Sequence, residues 1–279
     1  MTNPLRPSEG EALAAWAALV AADAEQVPRV REPEPPHDHY QQTAARFRAG
    51  VRPSPEFPAL QALARPDDTW IDIGAGGGRL AVPLARVVRR VIAVEPSESM
   101  RGELAAATAD AGLSNIEVRD LRWPDPGWTD AADVALAAHA IYDISAIAPF
   151  LDAMEQHSRR LCVALLRPWA RGGYLASLFE AVHGEPMQVL PALREFVALL
   201  GARGRQYEVH LAPGAPEPTL TPRDAAFAEA RRLLWLAEGS AKEQRMRALM
   251  EQWWGAPDGI AMPEAPPYIG VVSWQPRHS

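Results

Sequence analysis

Apolar residues recur at two different spacings along the chain, and the change between them marks its organisation. From Thr69 to Leu166 short apolar runs alternate with longer stretches of helical spacing. The runs predict strands at Thr69 to Ile73, Arg90 to Val94, Ile116 to Arg119, Asp133 to Ala138 and Leu161 to Leu166. Runs of this kind, bounded by turns, suit strands covered on both faces. Helices are predicted from Gly78 to about Val88, from a Ser97 cap to near Gly112, and from near Ser145 to Ser158. This alternation predicts one doubly wound, mostly parallel sheet with crossover helices.

The flanks are less regular. Residues 8 to 26 carry Leu13, Trp16, Leu19 and Val20 at helical spacing, followed by an extended, proline-rich linker from Pro28 to Pro36. A second helix is predicted from about His37 to Ala49, with Tyr40, Ala44 and Phe47 on one face, and a short one near Ala59 to Ala64. Beyond the fifth strand, Arg171 to Gly201 reads as two helices broken near Gly184 and Pro186. Gln206 to Ala212 reads as a sixth strand. Thr221 with Pro222 reads as the start of helix continuing to about Trp254, and Ile269 to Trp274 as a final strand. Seven strands in all are expected.

The chemistry concentrates where the first strand ends, in Trp70-Ile71-Asp72-Ile73-Gly74-Ala75-Gly76-Gly77-Gly78-Arg79-Leu80. Glycines between a strand and a helix allow a sharp turn and let a ligand approach the backbone. The dinucleotide fingerprint needs a small residue where Arg79 stands, and the Gly-Lys-Ser/Thr of a phosphate loop is absent. A register counted from Gly76, with Ala81 as the third small residue, sets the turn too far into the helix. The pattern that fits is Asp72-x-Gly74-x-Gly76-x-Gly78, and here the chain resembles the class I S-adenosylmethionine-dependent methyltransferases. The resemblance covers about Thr69 to Arg167. It implies a Rossmann-like domain over residues 67–279, with helical insertions at about 171–201 and 221–256. An N-terminal helical cap occupies residues 1–66.

In that family the glycine loop lies against the methionine part of the cofactor, and the acid before it helps to hold the ammonium. The resemblance therefore assigns Asp72, Gly74, Ala75 and Gly76 to S-adenosyl-L-methionine. Glu95 ends the second strand, 21 residues beyond Gly74, where an acid accepts from ribose hydroxyls, and Pro96 follows it. Asp120, in Val118-Arg119-Asp120-Leu121-Arg122-Trp123, matches the acid that accepts from the adenine amino group, with the Leu121 backbone at the ring and Trp123 stacking on adenine or on the cap. His139, Tyr142 and Asp143 border the reaction site past the fourth strand. His139 also lies close enough to touch the cofactor. His139 and Tyr142 are the candidate catalytic residues.

Charge narrows the partners. The formal net charge is -7, with 48% apolar and 23% charged residues, a globular balance without a broad attraction for phosphate. The reading is a methyltransferase of a small-molecule acceptor; a nicotinamide-dependent oxidoreductase and a non-catalytic S-adenosylmethionine-binding protein are its alternatives. Neither nucleic acid nor a membrane is an expected partner. Residues Met1 to Glu11 lack the order of a signal peptide, and the Ala-rich run 12–22 is too short to span a bilayer, so the cytoplasm is the expected location. The single cysteine, Cys162, reads as a buried apolar residue, and His37-Asp38-His39 as solvated rather than as a metal site, so no metal is expected. His183 and Glu185 read as a plain turn. Trp169, Trp235, Trp253 and Trp254 read as core or as an interface, a homodimer being one way to use them.

Overall fold

A computed structural model of the protein describes residues 7–35, 37–170, 172–214, 220–263 and 267–277. Pro36 of the expected linker, Arg171 of the expected insertion and the first six residues of the N-terminal stretch lie outside these. Seven strands form one sheet: β1 (Thr69–Ile73), β2 (Arg90–Val94), β3 (Ile116–Arg119), β4 (Ala132–Ala138), β5 (Ser158–Leu166), β6 (Tyr207–Pro213) and, after a small hairpin of β7 (Gly255–Ala256) and β8 (Gly259–Ile260), β9 (Tyr268–Trp274). Their order is β3-β2-β1-β4-β5-β9-β6. The first five pair in parallel, and β9 runs antiparallel to both β5 and β6.

All five residues of β1 are buried, because helices cover both faces of the central sheet. Side chains alternate between those faces. Ile71 and Ile73 join one core with Trp16, Phe150, Phe196 and Trp274. Trp70 joins the other with Leu84, Leu104 and Leu136. Asp72 shares the parity of Trp70, and so a carboxylate is turned into an apolar layer, 1% exposed.

Helices α3 (Ala81–Ala85), α4 (Glu98–Asp110) and α5 (Ile147–His157) link the parallel strands. The Ser97 hydroxyl caps α4 by accepting from the Met100 N–H, as expected. The expected helix from Gly78 to Val88 is regular only over α3, because Gly78 at φ 85° and Pro83 interrupt the ladder on either side of its start.

Several expectations for the flanks are corrected. The first helix, α1 (Glu9–Val30), runs through Pro28, so the extended stretch begins only at Arg31. A Ser8–Glu11 capping box starts it, and Pro28 removes one N–H from the last turn without ending the helix before Val30. No α-helix spans 37–49; that stretch is a series of turns with a 3-10 turn at Ala44–Phe47. A short helix α2 (Phe57–Leu63) follows it. The expected helix from 221 to 254 is two, α8 (Arg223–Leu233) and α9 (Ala241–Trp254). Trp235 at φ 56° and Gly239 at φ 78° turn the chain between them. The N-cap position of α8 is Pro222, one residue later than expected, and the Thr221 N–H and carbonyl pair with Ile260. Helices α6 (Ala176–His183) and α7 (Leu193–Ala202) form the expected pair, α6 ending on Gly184 at φ 79°. Helices α6, α8 and α9 share a third core with Val30. Among the described residues no helix is long and apolar enough to cross a membrane.

Candidate functional site

The glycine loop is built by close packing. The Gly74 and Ala75 N–H groups donate to the Val94 carbonyl at 2.8 and 3.2 Å, which bends the chain over the end of β2. Gly74 has φ 73°, and a Cβ there would lie 2.7 Å from the Ala140 methyl. Gly77 meets backbone instead: a Cβ would stand 2.7 Å from the Phe47 carbonyl carbon and 2.8 Å from the Arg48 nitrogen. Residues 47–49 are thus laid directly on the loop, with an Arg48–Gly78 bridge and an Ala49 N–H donating to the Gly77 carbonyl at 3.3 Å.

Two further contacts hold this N-terminal segment down. Arg79 pairs with the fully buried Glu56 and donates to the Ser54 hydroxyl at 3.0 Å. The Asp38 carboxylate accepts from the Ser97 hydroxyl, the Ser99 hydroxyl and N–H, and the Tyr40 N–H, at 2.7 to 3.1 Å. Burial pushes its pKa up, but these bonds, led by Ser99, outweigh that and hold it well below the usual carboxylate range. Neither role was read from the sequence. Asp38 lies in the His37-Asp38-His39 run and serves as a clamp rather than as a solvated residue, and Glu56 carries no local signal at all.

The acids beside the loop differ in how they are satisfied. Glu95 is buried and receives the Gly76 N–H on one oxygen and the Ser97 N–H on the other, each at 2.8 Å. Burial still raises its pKa, with these two N–H groups opposing. Both oxygens of Asp72 are buried with no hydrogen-bond partner. Burial, and then the charge of Glu95, push Asp72 up to about 7 against a weaker pull from Arg79. Asp120, by contrast, is exposed and ion-paired with Arg101 at 2.8 Å. Leu121 packs on the edge of the core, and Pro96 is exposed between Glu95 and α4.

Trp123 is not free to stack on a ligand. It is buried, its indole N–H donates to the Phe150 carbonyl at 3.3 Å, and it packs edge-on to Trp128 and His157.

Past β4 the chain turns at His139, whose φ is 57°. The left-handed region is uncommon for a residue with a side chain, so the turn is held by its surroundings. The His139 N–H donates to the Leu165 carbonyl at 2.9 Å, and Nδ1 lies 2.9 Å from the Tyr142 hydroxyl. That hydroxyl also accepts the Arg167 N–H at 2.9 Å. With the Arg167 N–H accepted, the hydroxyl proton is satisfied by donation to Nδ1, which leaves the imidazole hydrogen on Nε2. Burial, then the cations Arg167 and Arg79, hold His139 well below its usual pKa, so the ring is neutral. Burial pushes Tyr142 up to about 12. Arg167 follows the last residue of β5, the position where sheet-end residues meet ligands, and the sequence reading passed over it. Its guanidinium has no partner among the described residues.

Helix α1 covers this end of the sheet. Its Trp16 indole donates to the Ile144 carbonyl at 2.9 Å, and Gln26 bonds the backbone of Pro186 and Gln188 at 2.8 Å. Asp23 lies near enough to Asp143 for that charge, after burial, to raise its pKa. His183 bonds the Leu234 carbonyl at 3.0 Å and Glu185 pairs with Arg29, so both act as structural turn residues. Cys162 is buried in β5 beside Ser158. Trp235 and Trp254 pack on the third core, and Trp169 and Trp253 are exposed.

Residues 71–161 match the family described as "Methyltransferase domain". A curated relative, protein-L-isoaspartate O-methyltransferase 2 of Nitrosococcus oceani, is 30% identical over 98 residues, 34% of this chain and 42% of that protein. The chain thus spans less than half the length of that relative. Among solved structures, the YcgJ protein of Bacillus subtilis superposes with a TM-score of 0.54 at 14% identity, over 80% of this chain and 99% of that one. Coclaurine N-methyltransferase, bound to N-methylheliamine and SAH, does so with a TM-score of 0.52 at 12% identity, over 96% and 93%. Residues 71–161 thus match a methyltransferase domain, and they lie on a Rossmann-like sheet, the fold that these solved structures share.

Proposed function

We propose that the protein transfers the methyl group of S-adenosylmethionine to a small-molecule acceptor, and that Asp72, the glycine loop and Glu95 hold the cofactor. The observation that carries this is the unpartnered carboxylate of Asp72 behind the loop. A buried acid with no hydrogen bond costs stability unless a cation completes it. An amino-acid ammonium is such a cation, reached directly or through a bridging water. The donor set fits. Gly76, where a Cβ would meet only the Met100 sulfur at 3.8 Å, leaves the backbone open to a ligand, and Glu95 keeps lone pairs beyond the two spent on Gly76 and Ser97 for a ribose hydroxyl. Asp120, Leu121 and Pro96 would border the adenine end. Asp120 reaches an exocyclic amine only by releasing or sharing Arg101. A pyrophosphate, which a nicotinamide cofactor would bring, is repelled by this pair of acids.

When bound, the cofactor supplies a methyl group on a sulfonium, electrophilic enough that alignment and exclusion of water carry most of the catalysis. The neutral His139 ring, fixed by Tyr142, offers an Nε2–H. That arrangement orients an acceptor by donating to a lone pair, and it does not remove a proton. Helix α1 and the segment clamped by Asp38 and Glu56 roof the site. The net charge of -7 favours a small acceptor over a nucleic acid. Calorimetric titration with S-adenosylhomocysteine and with NAD tests the reading. Binding of the former alone is expected, weakened about tenfold or more, ~1.4 kcal/mol, by Asp72→Ala and by Glu95→Ala. Undiminished binding in both variants sinks the placement.

A further inference from the structure

The far edge of the sheet is unlike the rest of the surface. Strand β6 has β9 on one side and no strand on the other among the described residues. Tyr207, Val209 and Leu211 share one of its faces and are 38%, 41% and 54% exposed. On the opposite face Glu208 and His210 are exposed, and neither has a side-chain partner among the described residues. Edge strands are ordinarily protected by charged side chains, proline, a bulge or a covering element, because their free N–H and carbonyl groups recruit another strand. Here the charge is confined to one face and the alternate apolar face is bare.

We propose that β6 pairs antiparallel with β6 of a second copy about a two-fold axis through Val209, extending the sheet through both chains. The sequence of the strand selects this register. In an antiparallel pair, residues directly opposite share a face, so a symmetric pairing must centre on a residue. Centring on Val209 sets Val209 against its own copy and Tyr207 against Leu211 twice, an unbroken apolar stripe. It also sets Glu208 against His210 twice on the other face, an acid opposite a hydrogen-bond donor at both positions. Centring on Glu208 opposes two carboxylates, which is destabilising. Centring on His210 opposes two imidazoles, leaves Glu208 against Ala212, and draws Pro213, which has no N–H to give, into the ladder. Only this register keeps Tyr207 to Leu211 wholly paired, and its pattern is self-complementary on both faces; for that reason the occupant is another copy of this chain.

Light scattering and sedimentation equilibrium of the full-length protein test this. Twice the chain mass is expected over a wide concentration range, with Val209→Asp raising the dissociation constant by roughly tenfold, since it opposes like charges at the axis. Register is read by cysteine crosslinking, with low background because the one native thiol, Cys162, is buried. Val209→Cys is expected to form a disulfide-linked dimer on mild oxidation, directly opposed residues being near disulfide distance. Leu211→Cys alone is expected not to, yet to crosslink when mixed with Tyr207→Cys. The positions are exposed, so the variants are expected to melt as the parent does. A monomer at all concentrations, or Val209→Cys crosslinking no faster than the exposed control Val51→Cys, overturns the proposal.

Discussion

Asp72 lies on β1 and His139 just past the end of the neighbouring β4, yet the fold treats them in opposite ways. His139 is anchored: its Nδ1, the Tyr142 hydroxyl and the Arg167 N–H satisfy one another without a ligand. Asp72 is incomplete: it is more deeply buried, and nothing among the described residues answers it. A satisfied polar group is evidence of a rigid wall. An unsatisfied one marks where the fold holds free energy in reserve for something it does not contain. Under the proposed function, the contrast gives the two halves of the candidate site different work, with binding energy stored on the β1 side and geometry fixed on the β4 side.

The sharpest way to break this contrast is Asp72→Asn, which keeps the shape and removes the charge. Binding of S-adenosylhomocysteine is expected to weaken by about tenfold or more, ~1.4 kcal/mol. The ligand-free protein is expected to become more stable at pH 8. An acid held near 7 instead of 3.8 costs on the order of 4 kcal/mol when ionised, and the amide recovers part of that. Denaturant titration and calorimetry on the same variant give both numbers. Loss of stability together with loss of binding would show Asp72 to be satisfied in the free protein.

The same acid sets a pH dependence. Its folded-state pKa is raised, so the free protein holds this proton more tightly than the unfolded chain does. Its contribution to stability is fully present below about pH 4 and is lost as pH rises to about 7. Ligand binding runs the other way, because an ammonium requires the ionised carboxylate. Affinity for S-adenosylhomocysteine is expected to rise by up to tenfold per pH unit as pH approaches 7 and then level off. The slope is expected to vanish in Asp72→Asn; a slope that survives there belongs to another group.

Gly77→Ala probes the roof instead of the acid. The added methyl meets the backbone of Phe47 and Arg48, which no side-chain rotation relieves, so residues 43–49 must lift. A stability loss of about 1–3 kcal/mol is expected, with faster amide exchange confined to that segment and its Asp38 clamp. Uniformly faster exchange would mean that the segment is part of the global core.

The sheet and half of the candidate site were legible in the sequence for one reason: both are local. An apolar run bounded by turns makes a buried strand wherever it falls. Asp72, Glu95 and the glycines follow from their places relative to β1 and β2. What was not legible depends on the partner across space. Pro28 looked like a break because nothing in the sequence says that it falls in the last turn of a well-capped helix. Residues 37–49 carry helical spacing, but their backbone is committed to Gly77 and Gly78, and their Asp38 to the start of α4. Trp123 beside Asp120 suggested a stacking ring until the Phe150 carbonyl claimed its indole. Arg167 needed only the rule that ligands meet the ends of strands, and could have been named.

The smallest expected effect is the one that decides what His139 does. If Tyr142 donates to Nδ1, the ring is fixed with hydrogen on Nε2 and cannot act as a base in that state. Nitrogen NMR of histidine-labelled protein reads this without any knowledge of the acceptor: a bare Nδ1 and a hydrogen-bearing Nε2 are expected near neutral pH. Tyr142→Phe removes the donor, frees Nδ1, and strands the Arg167 N–H, costing about 1–3 kcal/mol of stability. Cofactor affinity is expected to be nearly unchanged, because Asp72 and Glu95 are untouched. Once an acceptor is known, His139→Ala is expected to lower turnover by roughly tenfold or less, the scale of one orienting hydrogen bond rather than of a general base. An Nδ1–H tautomer in the wild-type protein, or a loss of a hundredfold or more, on the order of general-base catalysis, would return His139 to proton transfer.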